Sequence, residues 1–469
     1  MIAWILLALY GLVLWAISPT ARSPEGFFRA RSAGGAEVGA GLLAASVLIT
    51  WIFAKSITNA ANLGAEFGLV GGVAYAGWYL SIPVAGLVLG GIRRDTGAES
   101  LAAFLVSRFG RAAAIAFLVA ILIRLYNEVW SNTIVVGTYF GEKGSGEFYL
   151  AAVAFSAITL AYSLKGGLRS SIVTDAIQLA LVTFLLALVA FVVVPRTGVR
   201  PIATAGEWTL VGGVDLLLVA LLQAFSYPFH DPVLTDRAFI APVGRVRRAF
   251  GFAGAAGGAL IVLFSAIGVM AFLEGMPVAD DAPRAVAAAL GVGVMVAMNV
   301  VMMSSAGSTL DSTFASLGKW AAVDVPTGAG RRRGIGSAVG RVAVGRAAMV
   351  AGAALGSLPL LTGATILQAT TVSGTMVIGL APIVCLYKLG PAPPAAFHAA
   401  FWTGIAVGVA LVAGVWPDAL AIGGGAYADL LGANVWGLAA ATVLYLGFWS
   451  WGREKRSETE PLRWVEAGR

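Results

Sequence analysis

The chain has 469 residues, of which 59% are hydrophobic and only 12% charged, with a mean hydropathy of +0.86. A soluble globular chain carries about twice that charged fraction, so a water-soluble enzyme or binding domain is excluded. The formal charge of +7 does not require nucleic acid, because cytoplasmic loops of membrane proteins are rich in Lys and Arg. One cysteine, Cys385, excludes an intramolecular disulfide and a cysteine-based metal cluster. His230 and His398 are too far apart in sequence to suggest a zinc site by themselves.

Apolar runs of about 17 to 25 residues recur along the chain and define a polytopic helical membrane protein. Thirteen spans are expected, near 2–18, 39–60, 71–91, 112–137, 148–164, 171–195, 211–230, 250–273, 291–317, 342–360, 364–387, 397–416 and 433–451. The first run has no basic stretch before it, and Arg22, Arg29 and Arg31 follow it. That argues for a reverse anchor with its N-terminus outside rather than a cleaved signal peptide. Of the 31 Lys and Arg residues, only Lys143, Arg196, Arg200 and Arg284 then fall on outside loops, and only Lys55 and Arg124 within spans. This asymmetry supports the orientation and places the C-terminus inside. The basic segment 326–341 is read as a topology signal, with contact to anionic lipid as the alternative.

Several spans carry residues that hydrocarbon should exclude. The second reads Trp51-Ile-Phe-Ala-Lys-Ser56, with Thr58, Asn59 and Asn62 before Gly64 and Gly68. Lys55 is a candidate functional residue, with snorkelling as the plain alternative. In the fourth, Arg124 and Glu128 are four residues apart and are expected to neutralise each other along one helix. The seventh contains Pro228 and Pro232, which remove backbone donors and should break the helix around Tyr227 to Asp231. Such a break is tolerated only where it lines a cavity or lies within protein. The Asn- and Gly-containing end of the second span is a second candidate break. Two interrupted helices five spans apart point to a transporter of inverted five-helix repeats, with its site at mid-membrane.

In the ninth span Ser304, Ser308, Asp311 and Ser312 share one helical face, with Ser305 near its edge. Hydroxyls and carbonyls form the oxygen shell that hard cations prefer. The alternative is close helix packing through small residues, which is also the reading of Gly71-Gly72 and Gly257-Gly258.

Two stretches resemble the sodium/solute symporter family. Tyr162-Ser-Leu-Lys-Gly-Gly-Leu-Arg-Ser-Ser-Ile-Val-Thr-Asp-Ala-Ile-Gln178 is similar to its loop-and-helix signature, and Ser304-Ser-Ala-Gly-Ser-Thr-Leu-Asp-Ser312 looks like its eighth core helix. The resemblance runs from about residue 40 to 410. It implies an all-helical LeuT-type fold, with an extra helix and loop over 1–37, inverted repeats over 38–200 and 201–390, and two helices and a tail over 391–469. It implies sodium held by the hydroxyls of Ser304 and Ser305 and the carbonyls of Val301, Ile49 and Ile52. Asp175 matches an aspartate tied to cation release and, with Ser308, to a second sodium in some members. Gly307 stands where a second hydroxyl would be needed for that site. Asp231 stands where the family has a polar substrate-contacting residue, and Trp51, Lys55, Phe229 and His230 are the further substrate candidates. The Trp51-Ile-Phe pattern, the spacing to Gly68 and an acid at Asp231 look most like the urea-transporting branch, from which Lys55 departs.

The expected function is sodium-coupled symport of a small polar solute (urea-like, amino acid or carboxylate) across the cell membrane by alternating access. Sodium is the coupling ion; membrane lipid is the surrounding partner, and neither nucleic acid nor an obligate protein partner is implied. Lys55 leaves three options: pairing with Asp231, binding a carboxylate-bearing substrate, or replacing the cation in a proton-coupled or uncoupled carrier. A solute sensor on the same fold is a further alternative. Neither histidine has a nucleophile partner, so an enzyme is not expected.

Overall fold

The computed structural model describes residues 1–279, 281–330, 337–361 and 373–466. Among the described residues every regular element is helical. Nine helices among these residues are long and apolar enough to cross a membrane, and the pair Ala40–Trp51 and Ala54–Phe67 makes one further span bent by 56°. The expected spans at 2–18 and 211–230 are shorter apolar helices, Ile2–Ile17 and Leu210–Gln223. Parts of the expected span 364–387 and of the basic loop 326–341 lie outside the described residues.

The chain opens with α1 (Ile2–Ile17) and a short α2 (Pro24–Arg29). The broken span follows as α3 (Ala40–Trp51) and α4 (Ala54–Phe67). Its break lies at Ile52 and Phe53, in mid-span, and not at the Asn- and Gly-containing end expected from sequence. No proline or glycine causes it. The carbonyls it frees are taken up by side chains from elsewhere: the Tyr79 hydroxyl donates to Trp51 O at 2.6 Å, Ser305 to Ile52 O, and Thr309 to Thr50 O at 3.3 Å. Tertiary partners therefore substitute for the lost helical turn, as burial in an apolar medium requires. Gly68 marks the end of α4 with φ +65 and ψ −149, a conformation suited to glycine. Next come α5 (Leu69–Ala76), α6 (Ser81–Thr96) and α7 (Leu101–Phe109).

Three long helices follow: α8 (Arg111–Gly137), α9 (Gly146–Gly166) and α10 (Leu168–Thr197). The turn between α9 and α10 rests on Gly167 at φ +54, where a Cβ would meet Phe27 of α2, so the glycine pair of the signature is required by packing and conformation together. After α11 (Val199–Thr204), the second broken span is α12 (Asp215–Gln223), a 3₁₀ turn over Tyr227–His230, and α13 (Pro232–Ala238). This break falls where the two prolines place it. Asp231 restarts the helix by accepting from Val233 N at 3.0 Å, with Pro232 in the first turn.

The 32-residue α14 (Val243–Glu274) lies along α3, α4 and α6. Its contact with α4 is backbone on backbone, because a Cβ on Gly268 would collide with Ala61 O and one on Gly64 with Ser265 O. Then α15 (Ala282–Leu290) leads to α16 (Val292–Lys319), which packs on α10, α8 and α3. The chain ends through α17 (Val325–Gly328), α18 (Ala338–Gly356), α19 (Leu380–Cys385), α20 (Pro394–Val412) and α21 (Ala428–Glu466). Both breaks thus face the polar stripe of α16 and the middle of α8 and α10, and this convergence builds the site.

Candidate cation and solute site

All residues of α16 from Val301 to Gly318 are buried. Near the first break, Ser305 donates to Ile52 O. The Ser304 hydroxyl is buried with no hydrogen-bond partner. Ile49 O accepts from Ile52 N at 3.1 Å, which leaves one of its lone pairs for a further partner. An orphaned hydroxyl in the protein interior is costly, and here it stands on the same helical turn as a hydroxyl bonded to an unwound carbonyl. The donor set is all oxygen, the type that suits a small hard cation. Val301 is fully buried one turn earlier.

One turn along α16, hydroxyls and charges form a second cluster. Asp175 of α10 accepts from Ser46 and Ser308, and pairs with Arg237 Nη2 at 3.1 Å. Arg237, on α13, also donates to Ser46 Oγ at 2.7 Å, Ser312 Oγ at 2.6 Å, Ser171 Oγ at 3.2 Å and Val233 O at 2.7 Å. Both side chains are 0% exposed. A guanidinium is therefore paired with the carboxylate, itself bonded to Ser308, that the resemblance associates with a second sodium. Gly307 has its own reason: a Cβ there would strike the Tyr10 hydroxyl, which the first helix inserts and Gln178 holds at 2.7 Å.

The substrate region differs from expectation. Lys55 does not pair with Asp231; its Nζ donates to Glu128 Oε1 at 2.6 Å and Ser131 Oγ at 3.2 Å. Nor is the Arg124–Glu128 pair self-contained, since Arg124 Nη2 reaches Asp231 Oδ2 at 3.2 Å while also contacting Glu128. The four charges make one buried network of zero net charge joining α4, α8 and the second break. Aromatic faces enclose it: the Phe53 ring lies 5.0 Å from Lys55 Nζ and 5.8 Å from Arg124 Cζ, and the Tyr227 ring 5.2 Å from Arg124 Cζ. Trp51 stacks edgewise on Tyr227 at 5.9 Å, and His230 at 4.9 Å with Nδ1 against Tyr227 O. Phe229 is fully buried beside them in sequence.

Asp311 belongs to a brace: it accepts from Tyr162 at 3.0 Å and Thr174 at 2.9 Å. Tyr162, Thr174 and Gln178 of the signature stretch thus lock α9, α10 and α16 together. Arg237 was missed in the sequence because a basic residue five positions beyond a proline break reads as a loop charge. The available clue was the absence of a basic residue three or four positions from Asp175 able to neutralise it along its own helix.

A cavity of about 750 Å³ leads in from the end of the bundle carrying Glu142 and Arg284, lined by Thr58, Asn59, Asn62, Glu66 and Asp281. Thr58 of this lining is about one turn along α4 from Lys55. Another of about 590 Å³ opens at the opposite end, lined by Phe28, Ser100, Phe239, Lys319 and Thr327. On the wall of this second cavity, Lys319 pairs with Asp236 and with Asp324, each at 2.8 Å, tying α13 to α16. The charged centre is closed from both sides.

Residues 32–209 match the family described as "Sodium:solute symporter family". No curated protein matches the sequence. Among solved structures, the chain resembles a Na+-coupled sialic acid symporter in a substrate-bound outward-open state, with TM-score 0.73 and 16% identity over 95% of this chain and 96% of that one. It also resembles Mhp1, a nucleobase-cation-symport-1 family transporter, in a closed conformation with bromovinylhydantoin bound, with TM-score 0.59 and 14% identity over 94% and 95% of the two chains. The inward-facing conformation of Mhp1 gives TM-score 0.52 and 15% identity over 93% and 94%. At these identities the likeness establishes a shared fold.

Proposed function

We propose that the chain is a multi-pass membrane transporter that couples the inward movement of sodium to uptake of a small polar solute by alternating access at the cell membrane. It is a transporter and not an enzyme. The observation that carries the sodium reading is the partnerless buried Ser304 hydroxyl beside Ser305, which reaches the unwound Ile52 carbonyl. Sodium bound by Ser304, Ser305, Val301, Ile49 and Ile52 would join α16 to the broken span and favour one arrangement of the two. The coupling requires unequal affinity of the two states for the ion. One cation crossing about 100 mV contributes roughly 2.3 kcal/mol, and a tenfold gradient about 1.4 kcal/mol more.

Lys55 is engaged with Glu128 and Ser131, which disfavours the alternative in which it replaces the coupling cation. Arg237 is the better candidate for a built-in cation, at the Asp175 site, and supports a stoichiometry of one sodium. The test is uptake into proteoliposomes with sodium varied at fixed pH. Loss of one hydroxyl ligand in Ser305→Ala costs about 1–2 kcal/mol, so the half-saturating sodium concentration should rise roughly 5- to 30-fold. Sodium-independent uptake would refute the coupling, and unchanged sodium activation in Ser305→Ala would refute the site.

A further inference from the structure

Resting on that reading, we infer that the solute is a zwitterion, an amino-acid-like molecule whose carboxylate and ammonium take over the partners of Lys55, Arg124, Glu128 and Asp231. The argument begins with where the four charges sit. Lys55 follows the first break and Asp231 ends the second, whereas Arg124 and Glu128 both lie on the continuous helix α8. Both inter-element pairs, Lys55–Glu128 and Arg124–Asp231, therefore cross the same gap between the broken spans and α8. Thr58 and Asn59, which line the cavity, follow Lys55 within about one turn of α4.

A solute entering the gap has to part these pairs. The side chains are at most 1% exposed, so no water replaces the lost partner. Arg124 and Glu128 stay paired along α8, but a neutral solute that offers only hydrogen bonds would leave Lys55 and Asp231 without counter-charges. A lone anion or cation would satisfy one side and leave the other, and would add net charge to a site that is balanced without it. A zwitterion satisfies both sides and adds none, its carboxylate between Lys55 and Arg124 and its ammonium between Glu128 and Asp231.

The surroundings supply the rest of such a site. Arg124 Nε, the Tyr227 hydroxyl, His230 Nε2 and Asn132 Oδ1 are buried without hydrogen-bond partners. The Tyr227 ring contacts both Arg124 and His230, which places these groups beside Asp231 and its pair with Arg124. The faces of Phe53 and Tyr227 offer apolar and cation-accepting walls for the carbon skeleton and its ammonium group.

The test is thermal stabilisation of the purified full chain in sodium, followed by uptake into proteoliposomes. The probes are glycine, proline, γ-aminobutyrate and glycine betaine, each set against its methyl ester or decarboxylated amine, together with acetate and urea. At least one zwitterion should act at a concentration at least tenfold lower than its single-charge counterpart and than urea. Glu128→Gln leaves the site with one excess positive charge and should shift preference toward the N-acetylated, anionic form of that solute. If this variant does not fold, Lys55→Gln/Glu128→Gln, which stays balanced, should lose the tenfold preference. Sodium-dependent binding of urea or acetate equal to that of every zwitterion would overturn the inference while leaving the sodium reading intact. Silence from the whole zwitterion set would also overturn it. Zwitterion binding that ignores sodium would instead sink the coupling and keep the solute class.

Discussion

Glu128→Gln is the sharpest probe of the charged centre. The Glu128 carboxylate faces Lys55 Nζ at 2.6 Å and Asn132 Nδ2 at 2.9 Å, contacts Arg124, and is 1% exposed. Glutamine keeps the shape, so almost none of the effect is a cavity. What changes is that Lys55 loses the carboxylate it pairs with, while Arg124 keeps Asp231. Removing one partner from a buried ion pair costs about 3–5 kcal/mol, because the remaining charge is left uncompensated. Lys55→Gln/Glu128→Gln removes one charge of each sign and leaves Arg124 balanced by Asp231. The double variant should therefore be more stable than Glu128→Gln alone, with a coupling on the order of 2–3 kcal/mol. Membrane proteins often unfold irreversibly, so the comparison is best made as apparent Tm at one fixed scan rate in one detergent. We expect Glu128→Gln to melt several degrees below the parent and the double variant to recover more than half of that loss. A single variant that melts with the parent, or a double variant that melts below the single, would refute the network as a balanced unit.

Arg237→Gln should abolish uptake and lower Tm, because Asp175 loses the only cation within hydrogen-bonding distance among its described partners; Asp175→Asn/Arg237→Gln should restore Tm but not uptake, which separates folding from transport in one assay pair. Gly268→Ala forces a methyl group into Ala61 O and should cost about 1–3 kcal/mol or prevent folding, read as monodisperse yield in detergent, whereas Gly244→Ala, in open space, should be silent. Burial pushes the Asp281 carboxyl, on the loop before α15, above the usual carboxylate range. The fold then holds that proton more tightly than the unfolded chain does, so this group's contribution to stability falls as pH rises through the raised value. Asp281→Asn keeps the cap on Arg284 N and should raise Tm at neutral pH, with the gain disappearing as pH drops into the range where Asp281 is protonated in the fold. A Tm difference that is flat from acid to neutral pH would count against it.

Charge scarcity and apolar runs were enough to determine that this is a helical membrane protein, because a bilayer tolerates few alternatives. The proline-marked break after Gln223 was equally legible, since proline acts on its own backbone. The stripe of α16 was visible as a face, because helical spacing is a local property. The other break was misplaced by the residue pattern, and only the family resemblance put unwound carbonyls at Ile49 and Ile52: nothing between Trp51 and Ala54 disfavours a helix, and Tyr79, Ser305 and Thr309 arriving from distant segments make an unwound turn tolerable there. The partners of Lys55 and Asp175 were beyond reach for the same reason. A buried charge is neutralised by whatever group the fold brings within about 3 Å, and Glu128 and Arg237 are brought there by the crossing of helices far apart in the chain. Local chemistry specified which residues needed partners, and tertiary packing decided which partners they received.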